Sequence, residues 1–286
     1  MKNLLEEYVI GIDLGGTNVR CGLVNENAVS AIHSKRINSQ ASVEEVMQDI
    51  FALTDQLING SVNAIGIGVP SVVDLEQGIV YDVQNIPSWK KVPLKKWMEE
   101  RYQRPVIVNN DANCFALGEH YYGKGKDQRS MIGLTIGTGL GAGIIIHNKL
   151  YAGANCGAGE FGMVEYLDKF YEYYACGQFF QNVYHIDGEV VFKKAATGDA
   201  EAISMYGEMG THLGNAIKTI LYTYDIGLII LGGSVRQAYP YFSENMWKRI
   251  HTLVYPRSAE RLQVKISELE NSGILGAAAL YYDSIV

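Results

Sequence analysis

No basic stripe, no long apolar run and no paired-cysteine motif occurs in this sequence, and each absence removes a class of function. Lysine and arginine number 24 against 31 acidic residues, for a net charge of -7. The electrostatic footprint of a nucleic-acid binder is therefore missing, and no nucleic-acid partner is expected. No apolar stretch approaches the roughly 20 residues that span a bilayer, so no membrane partner is expected either. The opening "MKNLLEEYVIGID" carries Glu6 and Glu7 where a secretory signal keeps an unbroken apolar run, which predicts a cytoplasmic protein. The four cysteines, Cys21, Cys114, Cys156 and Cys176, are scattered without a C-x-x-C pair. That argues against a disulfide framework or a zinc ribbon and for buried free thiols. "NGS" at Asn59 reads as a turn.

What is present is an ample core, 48% apolar in 286 residues, and repeated glycine turns between short strands. In "YVIGIDLGGTNVRCGLVNENAVSAI", Val9 to Asp13 reads as a strand, Leu14 to Asn18 as a glycine turn and Val19 to Val24 as a second strand; a third follows. Val46, Ile50, Leu53 and Leu57 share one face of a helix expected over 42–59. Ala64 to Val69 is a buried strand, "PSVVDLEQGIVYD" a loop and hairpin, and Leu94 to Tyr102 a short helix. "MIGLTIGTGLGAGIII" again reads strand, turn, strand. Val9-Ile-Gly-Ile-Asp-Leu-Gly and Met131-Ile-Gly-Leu-Thr-Ile-Gly share a pattern at an offset of 122 residues, which predicts a duplicated architecture. Ala200 to Tyr224 is a long amphipathic helix, Ile226 to Leu231 a buried strand ending at Gly232-Gly233, and Val264 to Ser267 the last strand. An Ala-rich helix starts at Ser272. The mixture predicts an α/β protein with two sheet domains.

Within "RPVIVNNDANCFALGEH", an apolar strand at Val106–Val108 ends in three amides around a single acid, Asp111. Helix capping by Asp111 or Asn113 is one reading, because Asn and Asp bond nearby backbone N–H groups. A carboxylate held among amides for chemistry is the other. Three glycine clusters, Gly15-Gly16, Gly137-Thr138-Gly139 and Gly232-Gly233, read as a cradle in which backbone N–H groups bind phosphate. Asp13 precedes the first cluster. A carboxylate beside a phosphate cradle is repelled unless a cation lies between them, and Mg2+ is the natural bridge; a turn-initiating Asp is the alternative. "GEHYYGKG" is a chance match to a P-loop, since Gly125 stands where Ser or Thr belongs. "GTGLGAG" leads into a strand, where a dinucleotide fingerprint leads into a helix.

Taken in order, "IGIDLGGTNVRCGLV", "GIGVP", "NIPSWKKVPL", "VNNDANCFALGE", "LTIGTGLGAGIII", "AGEFG" and "LGGSV" resemble the ROK family of bacterial sugar kinases and regulators across nearly the whole chain. The resemblance implies a two-domain, actin-like, hexokinase-type ATPase fold with an active site in the cleft between domains. It implies an N-terminal domain over 1–112, a larger C-terminal domain over 113–271, and a C-terminal helix at about 272–286 that packs back onto the first. It implies ATP with Mg2+ near Asp13, phosphate contacts from Gly15, Gly16, Thr17, Asn18, Gly137, Thr138 and Gly139, and adenosine contacts from Gly232 and Gly233. Asp111 is implied as the catalytic base that also binds sugar, with Asn110, Glu160 and Asn85 on the sugar side. A homodimer is implied too.

The chain departs from the family where a structural zinc is usual. Met163 stands in place of His, and of the zinc cysteines only Cys176, followed by Gly177, is present; His185 is off the spacing. No structural zinc is expected. Phe170, Tyr171, Tyr173, Tyr174, Phe179 and Phe180 are expected to order this segment by apolar packing instead. The leading reading is a hexokinase acting on the 6-hydroxyl of glucose. An N-acylhexosamine or fructose kinase and a non-catalytic sugar sensor are the alternatives. A first strand near Tyr8 is not expected to leave room for the helix-turn-helix of the family's repressors.

Overall fold

The computed structural model describes residues 8–25 and 28–285, and the chain folds as two compact units. The first takes the chain through Arg129, then Gly143–Ala158 and the chain from Glu268 on; the second takes Ser130–Ala142 and Gly159–Ser267.

In the first unit, β1 (Tyr8–Leu14), β2 (Asn18–Val24) and β3 (Val29–Arg36) form an antiparallel meander. After α1 (Val43–Thr54), β4 (Val62–Val69) pairs parallel with β1. A small sheet of β5 (Val72–Asp74), β6 (Ile79–Tyr81) and β7 (Lys91–Val92) follows, then α2 (Leu94–Tyr102). Parallel to β4 lies β8 (Val106–Asn110), which runs directly into α3 (Asp111–Tyr121). The main sheet therefore has the order β3-β2-β1-β4-β8. The inner strands β1 and β4 are buried along nearly their whole length and are rich in Val and Ile because both their faces are covered, whereas the edge strand β3 is largely exposed.

A capping box starts α1: the Ser42 hydroxyl accepts from the Glu45 N–H at 3.2 Å, and Glu45 Oε2 accepts from the Ser42 N–H at 2.8 Å. The helix expected over 42–59 ends at Thr54. Thr54 is fully buried, its hydroxyl donating to the Ile50 carbonyl at 2.8 Å, and the chain turns at once so that Leu57 still enters the core.

Across the middle of the chain run β9 (Met131–Ile136), β10 (Leu140–Ile146) and β11 (Lys149–Leu150). The small hairpin β12 (Glu165–Tyr166) and β13 (Lys169–Phe170) leads into α4 (Tyr171–Ala175), α5 (Phe179–Tyr184), α6 (Gly188–Ala196) and α7 (Ala200–Tyr224). The chain closes with β14 (Leu228–Gly232), α8 (Tyr239–Ile250), α9 (Pro256–Arg261), β15 (Gln263–Ile266) and α10 (Ser272–Ile285). The second sheet has the order β11-β10-β9-β14-β15, with β9, β14 and β15 parallel. Each sheet thus begins as a hairpin-linked meander of three strands and adds two parallel strands on the far side of the first. This shared topology is what the repeated Ile-Gly pattern foretold.

The compact units do not divide at 112/113. Helix α3 stays in the first unit because it packs along α10, which also lies across β1 and β4. The approach is close: a Cβ on Gly66 would run into the Ala277 carbonyl oxygen, and one on Gly276 into that of Cys114. Only glycine allows backbones this near one another. In the second unit α7 buries Met205, Met209, Leu213, Ile217 and Ile220 along one face, and its main partner is α8. No helix among the described residues is long and apolar enough to cross a membrane.

Candidate active site

The knot of amides resolves residue by residue. Asn110, not Asp111 or Asn113, caps α3: its Oδ1 accepts from the Ala112 N–H at 2.8 Å, and its Nδ2 donates to the Ser71 carbonyl at 3.3 Å. A carboxamide offers two donors and two acceptors, so half of that capacity is still available to a ligand. Asn113 is 1% exposed and turned inward, its Nδ2 donating to Asn109 Oδ1 at 2.9 Å. Asp111 is left exposed at the first helical position, where its Oδ1 also accepts from the Ala112 N–H at 2.8 Å. Negative charge there is favoured by the helix dipole. The parallel register sets Asn109 and Asn110 beside Gly68 and Val69, at the end where the strands stop. Ligands collect at such carboxyl-terminal strand ends in α/β sheets.

Asp13 belongs to the same unit, near the end of β1, opposite Arg20 in the hairpin register. Burial pushes its carboxyl above the ordinary range, and the Arg20 guanidinium opposes the rise. Arg20 also donates to Asn271 Oδ1. Residue type alone did not single it out, although the 13↔20 pairing follows from a hairpin closed at the glycine turn. In that turn the Gly15 N–H donates to the Asn18 carbonyl at 2.9 Å, and Thr17 and Asn18 are exposed. Gly16 lies against Asn85: a Cβ there would fall 2.6 Å from both the Asn85 Cβ and Nδ2. The structure therefore brings the first glycine turn and the "NIPSW" loop together.

In the second unit the Gly137–Gly139 turn closes β9 onto β10, with the Gly137 N–H donating to the Gly139 carbonyl at 3.0 Å. Two contacts brace it from α4 and its end: Glu172 Oε2 accepts from the Leu140 N–H at 2.8 Å, and the Cys176 thiol donates to the Thr138 carbonyl at 2.9 Å. Gly137 and Thr138 line a cavity of about 500 Å³ within this unit. Its apolar walls are Phe180, Phe192 and Tyr206, and its polar rim includes Gln181, Asp187 and Ser234. Gly233, at φ 77°, redirects the chain so that Ser234 and Val235, rather than Gly232 and Gly233 themselves, face the cavity. An apolar slot with a phosphate turn at one end suits a nucleotide. Phe180, Phe192 and Tyr206 were not foreseen as lining residues, because nothing local distinguishes a pocket aromatic from a core aromatic.

Glu160 closes the sequence "AGE" just before a 3-10 turn at Phe161–Met163. Burial and the neighbouring Glu172 raise its pKa above the ordinary carboxylate range. Behind it the expected ring cluster is present and is built around His212 of α7. Tyr166 and Tyr171 stack with centroids 4.4 Å apart, and His212 lies 5.0 Å from Tyr174, 5.7 Å from Tyr166 and 5.9 Å from Phe179. Phe179 and Phe180 are buried, whereas Met163 is half exposed. Cys176 spends its thiol on Thr138, and His185 is the left-handed end residue of α5. Among the described residues, no three or more His, Cys, Asp or Glu side chains are grouped to hold a metal ion.

Two relatives match this chain across nearly their full length. The glucokinase of Thermotoga maritima is 27% identical over 97% of this chain and 98% of its own. The N-acetyl-D-glucosamine kinase of Vibrio parahaemolyticus is 28% identical over 95% of this chain and 98% of its own. A ROK family glucokinase from Streptomyces griseus, solved in complex with glucose and AMPPNP, superposes with a TM-score of 0.79 at 28% identity, covering 96% of this chain and 98% of that one. The fold is the actin-like, hexokinase-type ATPase fold. The model of the ROK family matches residues 9–284, and on that match the chain belongs to the ROK family.

Proposed function

We infer that this ATP-dependent sugar kinase of the ROK family transfers the terminal phosphoryl group of ATP to the 6-hydroxyl of a hexose, with glucose the leading substrate. The observation that carries the reading is Asp111, an exposed carboxylate whose capping duty has been taken over by Asn110. A sugar hydroxyl is a poor nucleophile and needs orientation and a proton acceptor as the phosphoryl group arrives. In this reading Asp111 accepts the hydroxyl proton, while Asn110, Asn85 and Glu160 hold the neighbouring hydroxyls. Gly15, Gly16, Thr17 and Asn18 are one candidate set of backbone and hydroxyl donors for phosphate, and Gly137, Thr138 and Gly139 are another. The apolar cavity beside Gly137 takes the adenosine, against Ser234 and Val235, which follow Gly232 and Gly233.

Mg2+ would fit beside the turn after β1, where the Asp13 carboxylate near the strand end would supply a hard oxygen ligand. When bound, it neutralises phosphate charge. The chain's own residues do the rest, binding, orienting and accepting the proton. Aromatic packing around His212 takes the ordering role that a zinc would otherwise serve. A cytoplasmic homodimer is the assembly we propose.

An N-acylhexosamine kinase is the second reading, favoured by the Vibrio relative and by Met163, which is half exposed in the turn that follows Glu160. An ADP-release assay over glucose, mannose, fructose, N-acetylglucosamine and N-acetylmannosamine tests both. Release with glucose above all others is the expected result. Release only with an N-acetylated sugar would replace the first reading with the second, and sugar binding without release would replace both with a sensor.

A further inference from the structure

Directly behind the proposed base lies a buried polar hub that this function does not yet use. Its centre is Asn109, 5% exposed, whose Oδ1 accepts three hydrogen bonds. The donors are the Asn110 backbone N–H at 2.8 Å, Asn113 Nδ2 at 2.9 Å and the Cys156 thiol at 3.2 Å. Asn113 Nδ2 also faces Cys156 Sγ at 3.8 Å, so the thiol both donates and accepts. The first of these bonds restrains the Asn109–Asn110 peptide, one residue before Asp111. The third comes from a residue 47 positions away, on the loop that leads to Glu160. All the members of the hub lie in the first unit.

Cys156 occupies this place against its backbone preference. Its φ is 58°, in the left-handed region that glycine enters without strain and a side chain does not. Its neighbour Gly157 has nothing within 4 Å of where a Cβ would sit, so space alone does not dictate residue choice in this loop. Cys156 is 2% exposed, and its thiol finds two amide partners there. A strained position held by a buried hydrogen-bonding side chain points to a role for that side chain.

We propose that Cys156 is a positioning residue for phosphoryl transfer: its thiol completes the hub on Asn109 that fixes the Asn109–Asn110 peptide, one residue before Asp111, and ties the loop before Glu160 to it. The proposal rests on Asp111 acting as the base. Cys156 itself touches neither sugar nor nucleotide. Its loss loosens the orientation of Asp111, which is felt in turnover and not in the binding of ATP. Small misplacements of a catalytic group are enough to slow a reaction whose barrier is lowered by orientation.

The test compares Cys156→Ala, Cys156→Ser and Cys156→Gly with the wild-type enzyme, using glucose and ATP well below each melting temperature. A single hydrogen bond in the hub sets the scale, so kcat of Cys156→Ala is expected to fall about 3- to 10-fold. KM for ATP is expected to stay within about twofold of the wild type, since only uniform binding would alter it. Cys156→Ser keeps a donor and an acceptor and should restore most of kcat. Cys156→Gly relieves the backbone strain, so it should melt no lower than Cys156→Ala and yet be as slow. A second readout needs no activity: solvent exchange of the Asn110 amide proton should quicken in the Ala and Gly variants and return towards wild type in the Ser variant. Wild-type turnover or unchanged Asn110 exchange in Cys156→Ala would overturn the proposal. A wild-type enzyme that phosphorylates no sugar would refute the proposed function instead, leaving amide exchange to decide the hub.

Discussion

Replacing Asp111 by Asn separates chemistry from folding in this protein because the structure has already assigned the helix cap to Asn110. In Asp111→Asn the new carboxamide keeps an oxygen able to accept from the Ala112 N–H, as Asp111 Oδ1 does now. What is lost is a negative charge at the first turn of α3, which contributes about 0.3–1 kcal/mol through the helix dipole. For a chain of this size that lowers the melting temperature by no more than about 4 °C. The chemical loss is far larger. A general base contributes roughly 10²–10⁴ in rate, or about 2.7–5.5 kcal/mol of barrier. Sugar affinity should hardly change, since an amide still bonds a hydroxyl. The assays are initial rates of ADP release, calorimetric titration with glucose, and thermal melting followed by circular dichroism. Turnover within threefold of wild type at full stability would refute the assignment and return Asp111 to a purely structural role.

Four further outcomes are expected. Gly16→Val must push against Asn85, with the first added carbon already at 2.6 Å, and should raise KM for ATP roughly tenfold or more through loss of charged hydrogen bonds; unchanged ATP kinetics would make this a plain hairpin turn. Phe179→Ala removes a fully buried ring that touches Phe180, Tyr184 and His212, so about 3–5 kcal/mol is lost, lowering melting by roughly 6–20 °C. A chelator should leave melting unmoved, and metal analysis should find zinc well below one atom per chain; stoichiometric zinc would refute the ring-packing account. Burial holds His212 below its ordinary pKa, with Glu208 opposing, so the folded state prefers the neutral ring. Its contribution is fully present above about pH 6.5, the unfolded value, and is lost as pH falls towards the folded pKa. His212→Gln should therefore melt with a shallower decline than wild type between pH 7 and 5, and parallel curves would exclude His212 as a source of that decline.

Local order was legible in the sequence wherever its cause was local. Two-residue alternation, 3.6-residue spacing, capping residues and glycine turns are properties of neighbours in the chain, so β1, β2, α2, α7 and the repeated strand–turn–strand unit could be read directly. The Asn-Asp knot and the glycine clusters were visible for the same reason, and the family resemblance supplied their roles. What tertiary structure alone decided depends on distant partners. Asn110 became the cap because Ser71 holds its other end, and Asp111 was thereby left exposed. Helix α3 joined the first unit because α10 returns from the chain end to pack along it. The cavity walls come from Phe180, Phe192, Tyr206 and Ser234, whose spacing follows no period. Cys156 reaches Asn109 across 47 residues through a left-handed turn. Short-range sterics and hydrogen bonding are written into a sequence position by position. The pairing of groups far apart in the chain is set by how sheets and helices pack, and no local pattern encodes it.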